Sequence, residues 1–316
     1  EAKADMHPGA FKVFVNFIPV ADITFLTPQI FNKLSKHAIR VAGIKYCSPN
    51  FLRMLMYLEL SRPNGDVSRW EKVLKRLTLL NKHYPLRGRS CHDEDIQRLF
   101  QFGSKKAIEK LNKKKQKGGK MKEDYEEEEE YLNNLQDKLF VIVRNTLIAQ
   151  GCIFFGAMAN RMYLQDLKQF KNKKISKVPD FDVLSIDPET TTRILKERLS
   201  DAGLKGIKIK KHKGIGEIIA PHYEISLGPE TFAFIYKPLA CHSYNTVNID
   251  NRNIRIATLD TMLSFYLAFV YADRPYYSAN RILCMSQYLF KVQQKNRLKQ
   301  KGLLKRFSIK CYGTQK

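Results

Sequence analysis

The chain has 316 residues, with 55 Lys or Arg against 31 Asp or Glu and a net charge of +24. That length allows two domains with sizeable cores, and that charge argues for a polyanionic partner, nucleic acid first. No uninterrupted apolar run reaches membrane-spanning length and no signal peptide is visible, which argues against a membrane partner. Six cysteines stand at 47, 91, 152, 241, 284 and 311 without a CxxC pair. Their spacing argues against a zinc ribbon and for reduced structural thiols in a cytosolic setting. The sequence opens at Glu1, in what reads as the interior of a fold, so a piece of a longer protein is expected.

Phe11 to Leu26 reads as two strands around a turn near Asn16, or one long bent strand, because Phe11, Val13 and Val15 alternate with their neighbours. Asp22 interrupts the apolar run Val20-Ala21-Asp22-Ile23. A carboxylate there is either paired, hydrogen-bonded or metal-bound, or it sits at a strand edge. Thr27 to Asn32 reads as a turn into a short helix, and Ala38 to Tyr46 as one strand. Ser48-Pro49 starts a helix with Pro at its first position. A second helix over Val67 to Tyr84 buries Trp70, Val73, Leu74, Leu77 and Leu80 at helical spacing. Its other face carries Arg69, Lys72, Lys75 and Arg76, either a solvated face or a set of RNA phosphate contacts.

The stretch from Ala21-Asp22-Ile23-Thr24 through Cys47-Ser48-Pro49 to Tyr84-Pro85 resembles the end of the catalytic domain in poly(A) polymerases of large cytoplasmic DNA viruses, of the mimivirus, African swine fever virus and poxvirus type. By that resemblance, Asp22 is the third metal-binding carboxylate of a first nucleotidyltransferase domain. The glycine pair and Asp-x-Asp of that domain would precede residue 1.

Residues 89–137 read as a charged, disordered linker, with lysines crowded over 105–122 and acids over 124–130. An amphipathic helix over Asn134 to Ala149 follows. Ile153-Phe154-Phe155 reads as a buried strand, Gly156-Ala157 as a tight entry, and Met158 to Leu167 as a helix. Val178 to Ser185 reads as a strand with Asp180 and Asp182 on one face. Such a pair is either a divalent-metal site or a solvated strand end. Gly156 lets backbone approach a ligand, and the helix behind it suits an anion such as triphosphate.

Strand, glycine, helix and Asp-x-Asp strand together resemble the DNA polymerase β-like nucleotidyltransferase superfamily, which implies nucleotide binding at Gly156 and Ala157 and metal binding at Asp180 and Asp182. That superfamily's third carboxylate belongs on a later strand. The best-placed one, Thr231 to Tyr236, carries no acid, and Glu217, Glu224 and Asp250 are poorly placed substitutes. The resemblance therefore implies a non-catalytic partner domain that shapes an RNA groove.

Beyond it, Asp187-Pro188 starts a helix that stops at Gly203, and three antiparallel strands follow. Lys208 and Lys210 give the first of these a basic face, with His212 read as a surface residue. Ile254 to Ala257 enters a long apolar helix, and Ser278 to Lys295 reads as a final helix. From Lys291 to Lys316 the chain holds nine Lys or Arg and no acid. It reads as a basic arm, with Lys299, Lys305 and Arg306 fit for phosphate contacts.

The expected fold class is α/β (α+β in detail), as two nucleotidyltransferase-like units of mixed sheet plus helices, the first incomplete at its N-terminus. Domains are expected over 1–88 (C-terminal part of a catalytic domain), 89–137 (linker), 138–290 (second nucleotidyltransferase-like domain) and 291–316 (basic tail). The resemblance implies transfer of AMP from ATP to RNA 3′ ends with Mg²⁺ or Mn²⁺, in host cytoplasm (a viral factory) or the virion. It leaves a homodimer or processivity partner open. The alternative is a catalytically inactive RNA-binding and dimerisation module; the charge and basic tail argue against a small-molecule enzyme.

Overall fold

The computed structural model describes residues 2–7, 10–63, 67–87, 122–168, 180–216, 218–249, 251–272, 274 and 277–314. They divide into two compact units, Glu1–Ser48 and Pro49–Lys316.

In the first unit, apolar alternation produces an antiparallel meander, β1 (Ala2–His7), β2 (Ala10–Val15) and β3 (Ile18–Thr24), in that order across the sheet. The two-residue turn at Asn16-Phe17 has φ of 49° and 65°, the mirror-image turn that matches strand twist. Helix α1 (Pro28–Lys36) begins with Pro, whose missing N–H costs nothing at that position. The stretch read as one strand over Ala38 to Tyr46 is instead a hairpin, β4 (Ile39–Val41) and β5 (Ile44–Tyr46). Ala42 and Gly43, with φ of 49° and 81°, reverse the chain between them.

The second unit starts with α2 (Pro49–Leu60) and α3 (Trp70–His83). Helix α4 (Lys122–Ala149) runs for 28 residues, so the acidic stretch read as linker is helical from Lys122 onward. Glu is a good helix former, and acids near a helix N-terminus are favoured by the helix dipole. Lysines 105–120 lie outside the described residues. Then follow β6 (Ile153–Phe155), α5 (Gly156–Leu164), β7 (Phe181–Leu184), α6 (Pro188–Asp201), β8 (Ile207–His212), β9 (His222–Leu227) and β10 (Glu230–Tyr236). Next come β11 (His242–Ile249), β12 (Arg252–Ala257), α7 (Leu259–Phe269), α8 (Ala279–Lys295) and β13 (Cys311–Tyr312).

The strands form one eight-stranded mixed sheet, ordered β13-β11-β12-β6-β7-β10-β9-β8. Strand β10 runs parallel to β7, β12 parallel to β6, and the other neighbours are antiparallel. The expected α/β class is the observed one. Phe154 and Phe155 on β6, Phe181 on β7 and Phe232 on β10 are all buried in the centre of this sheet. Helix α2 packs on α7, and α7 on α8. That packing places residues 49–87 in the same compact unit as the large sheet.

Three further expectations are corrected here. The basic tail is folded: Asn245 donates to the carbonyls of Leu303 (3.1 Å) and Lys305 (2.8 Å), Ser308 to that of Tyr244 (2.9 Å), and Phe307 stacks on Trp70. Cysteines are not all reduced. The β11–β13 pairing brings Cys241 and Cys311 to a Cα separation of 5.2 Å, within disulfide range, and they are bonded; Cys284 is also disulfide-bonded. His212 is buried rather than superficial, 2.7 Å from Glu224 and stacked on His222.

Candidate functional site

Strand β6 ends at Phe155, and Gly156 turns the chain into α5 with φ of +65°. Phe155 pairs in register with Asp182. A Cβ on Gly156 would lie 1.9 Å from a carboxylate oxygen of Asp182, so only glycine fits against the aspartate there. Sequence order thus becomes proximity: glycine, helix and Asp-x-Asp meet at one end of β6 and β7.

Asp182 lies on β7, and Asp180 immediately precedes that strand; both are half-buried. On the other side of β7, the residue in register with Asp182 is Phe234 of β10. The strand that would supply a third carboxylate offers an aromatic ring at that level. Asp180, Asp182 and Phe234 line a cavity together with Ala157, Tyr266, Phe269, Tyr277 and Arg281. Phe269 and Tyr277 stack at 4.3 Å with an interplanar angle of 9°. Burial lowers the pKa of the Arg161 guanidinium, and the charge of Asp180 opposes that shift. The Tyr266 hydroxyl is buried without a hydrogen-bond partner. Burial, with the charges of Asp182 and Asp180 adding to it, holds that phenol well above its ordinary pKa.

A two-metal site needs a cluster of hard oxygen ligands. Among the described residues no group of three His, Cys, Asp or Glu could hold a metal ion. Two carboxylates flanked by arginine and facing phenylalanine do not fit a pair of divalent cations, and the same holds for Asp22 taken alone. Asp22 lies on β3, an edge strand of the first unit, exposed and in register with Lys12.

Most of the cations expected to meet RNA are on the surface: Arg69, Lys72, Lys75, Arg76, Lys208, Lys210, Lys299 and Lys305 are all exposed. Arg69 pairs with Glu59 (3.3 Å) and Lys75 with Glu71 (2.7 Å), pairs that are weak in water. Arg306 is the exception and is corrected: it is buried, with its Nε donating to Asp260 at 2.8 Å. Glu224 is engaged by Thr231 and His212, while Glu217 and Asp250 lie outside the described residues. Sequence reasoning did not single out Phe234, Tyr266 or Arg281 for this cavity. Tyr266 sits in an apolar helix, where nothing in the sequence separates a core tyrosine from one with an unpartnered hydroxyl.

Residues 1–66 match the family model for the poly(A) polymerase catalytic subunit. Over 88 residues the chain is 32% identical to a putative poly(A) polymerase catalytic subunit of Acanthamoeba polyphaga mimivirus, covering 27% of this chain and 15% of that protein. Over 87 residues it is 30% identical to the corresponding putative subunit of African swine fever virus, covering 26% and 18%. The sequence likeness to the viral poly(A) polymerases is confined to about a quarter of the chain. The crystal structure of the Megavirus polyadenylate synthase has the same fold, with a TM-score of 0.68 at 17% identity over 98% of this chain and 58% of that one. The chain therefore spans less than two thirds of the solved viral enzyme, and the sequence likeness covers less than a fifth of each curated relative.

Proposed function

We propose that this chain is the C-terminal portion of a viral poly(A) polymerase, an enzyme that transfers AMP from ATP to RNA 3′ ends without a template. The observation that carries the reading is the family match over residues 1–66, which holds Asp22 on a strand. In this reading Asp22 supplies one carboxylate of the catalytic centre, and its remaining carboxylates lie outside the chain. The divalent cation, Mg²⁺ or Mn²⁺, would lower the barrier by activating the 3′-hydroxyl and neutralising pyrophosphate charge. The second nucleotidyltransferase-like unit contributes no catalysis: its third position is Phe234, and arginine stands beside its aspartates.

The exposed lysines and arginines of α3, β8 and the tail would hold RNA by its phosphates, giving strong salt dependence. Host cytoplasm or virion is the setting this proposes, with a second copy or a processivity factor as further partner. No helix among the described residues is long and apolar enough to cross a membrane. Primer extension tests the reading: the longer parent enzyme extends an RNA primer with ATP and a divalent cation, and this chain alone does not. Extension by this chain alone, abolished by Asp180→Asn, would make the second unit the catalyst.

A further inference from the structure

The eight-stranded sheet ends differently at its two sides. One end is β13, two residues long and fastened by the Cys241–Cys311 disulfide. The other is β8, six residues paired with β9 in continuous register from Ile207 against Leu227 to His212 against His222. Among the described residues no strand lies beyond it. An open edge strand presents unpaired backbone N–H and C=O groups, and proteins blunt such edges by shortening them or with Pro, bulges or Lys. Of these devices β8 has only the lysines. Its four central residues, Lys208 to Lys211, are exposed, and Ile209 among them is 38% exposed. Side chains alternate along a strand, so Lys208, Lys210 and His212 share one face and Ile207, Ile209 and Lys211 the other.

Lys211 is engaged on its own face: its Nζ lies 5.5 Å from the centre of the Tyr223 ring, whose hydroxyl donates to Glu189 at 3.0 Å. The two lysines on the opposite face are not matched in this way. Lys208 is in register with Ser226. Lys210 is in register with Glu224, whose carboxylate already accepts from Thr231 at 2.6 Å and bonds His212 at 2.7 Å. The complement to this edge is a strand with acids at alternate positions and apolar side chains between them to meet Ile209. A second copy of β8 would set lysine opposite lysine, which is destabilising. RNA phosphates would meet the same lysines, but they cannot donate to the strand's carbonyls. The chain's own acidic run over 124–130 is already helical, within α4. We propose that β8 is a docking edge for an extended acidic segment of another protein, which adds to the sheet as a further strand. Backbone hydrogen bonds supply the affinity and alternating carboxylates the selection.

The test uses the 316-residue chain and a fluorescein-labelled nine-residue peptide that alternates Glu with Val, followed by fluorescence anisotropy. Two further peptides carry N-methyl groups on one or the other set of alternate backbone nitrogens. Successive N–H groups of an added strand point to opposite sides, so only one set faces β8. The expected result is binding of the parent peptide, loss of about tenfold or more with one methylated peptide, and retention with the other. Lys208→Glu together with Lys210→Glu should weaken the parent peptide about tenfold with the thermal midpoint kept, since both positions are exposed. A lowered midpoint in that variant would leave the decision to the two methylated peptides on the unaltered chain. Hydrogen exchange of the amides of Lys208 to Lys211 should slow on addition of the parent peptide. Equal binding of both methylated peptides would mean attraction by charge alone and would overturn the proposal. So would slowing of the same amides by oligo(U) but not by the peptide, which would make β8 a nucleic-acid surface. Self-association of the chain that slows these amides without any peptide would assign the edge to a second copy and overturn it as well.

Discussion

Gly156 and Asp182 approach so closely that a Cβ on the glycine would lie 1.9 Å from a carboxylate oxygen and 2.6 Å from the aspartate's Cβ. The left-handed φ of Gly156 adds a second reason for glycine at the start of α5. Gly156→Ala should therefore cost more than the ~1 kcal/mol of an ordinary backbone misfit and displace Asp182. Urea denaturation of the variant measures the loss; a midpoint equal to wild type would mean the two residues are not held together.

The Asp260–Arg306 pair ties the tail to α7. Gln293 donates to the other carboxylate oxygen at 2.5 Å and accepts from Tyr57 at 3.0 Å. Burial raises the Asp260 pKa, with Arg306 pulling it back down. Removing one partner of a buried pair leaves an uncompensated charge, so Arg306→Ala should cost about 3–5 kcal/mol. Lys299→Ala with Lys305→Ala should leave stability within about 0.5 kcal/mol and lower the salt slope of RNA binding by about one unit for each phosphate no longer neutralised. Denaturation curves and salt titrations on the two variants separate these roles; a stable Arg306→Ala with a reduced salt slope would return Arg306 to the RNA surface.

Two histidines set an acid limit. Burial holds the pKa of His242 at about 3 and, as the larger of its causes, that of His222 at about 4, both down from 6.5. The unfolded chain takes up these protons first as pH falls below 6.5, so their contribution is complete above that pH and is lost progressively toward pH 4 and 3. At 1.36 kcal/mol per unit, His222 alone amounts to roughly 3 kcal/mol. His242 packs edge-on against Phe265 and its Nδ1 has no hydrogen-bond partner. His242→Phe should flatten the decline between pH 6 and 4, as about half of the sensitivity resides there; thermal midpoints across that range decide it, and an unchanged pH profile would remove His242 from the explanation.

Cys241–Cys311 closes a loop of 70 residues. Cys311→Ser should cost about 2–4 kcal/mol, and reductant should lower the wild-type midpoint while leaving the variant's dependence on this bond absent. Identical midpoints for both proteins under oxidising conditions would contradict the bond's role.

The hairpin of β2 and β3 was legible because alternation and Asn16 are local signals, and so were Gly156, Asp180 and Asp182, since strand, glycine, helix and strand follow one another directly. Strand β11 was not: His242–Ile249 is mostly polar, and its partners β12 and β13 define it. The tail misled for the same reason. Nine cations without an acid read as a solvated arm, but Arg306 finds its carboxylate 46 residues earlier in the chain, and Cys311 its partner 70 residues earlier. The absence of an acid on Thr231 to Tyr236 was readable; that Phe234 stands level with Asp182 needed the parallel β7–β10 register.

The division of labour between the two units is tested most directly by primer extension with the parent enzyme carrying Asp22→Asn or, separately, Asp182→Asn, with thermal midpoints measured alongside. Asp22→Asn should lower extension by several orders of magnitude at an unchanged midpoint, since a metal centre supplies several kcal/mol of transition-state stabilisation. Asp182→Asn should leave extension within about threefold of wild type, less than 1 kcal/mol. Near-normal extension by Asp22→Asn together with loss in Asp182→Asn would contradict the assignment and place the chemistry at the cavity of the second unit.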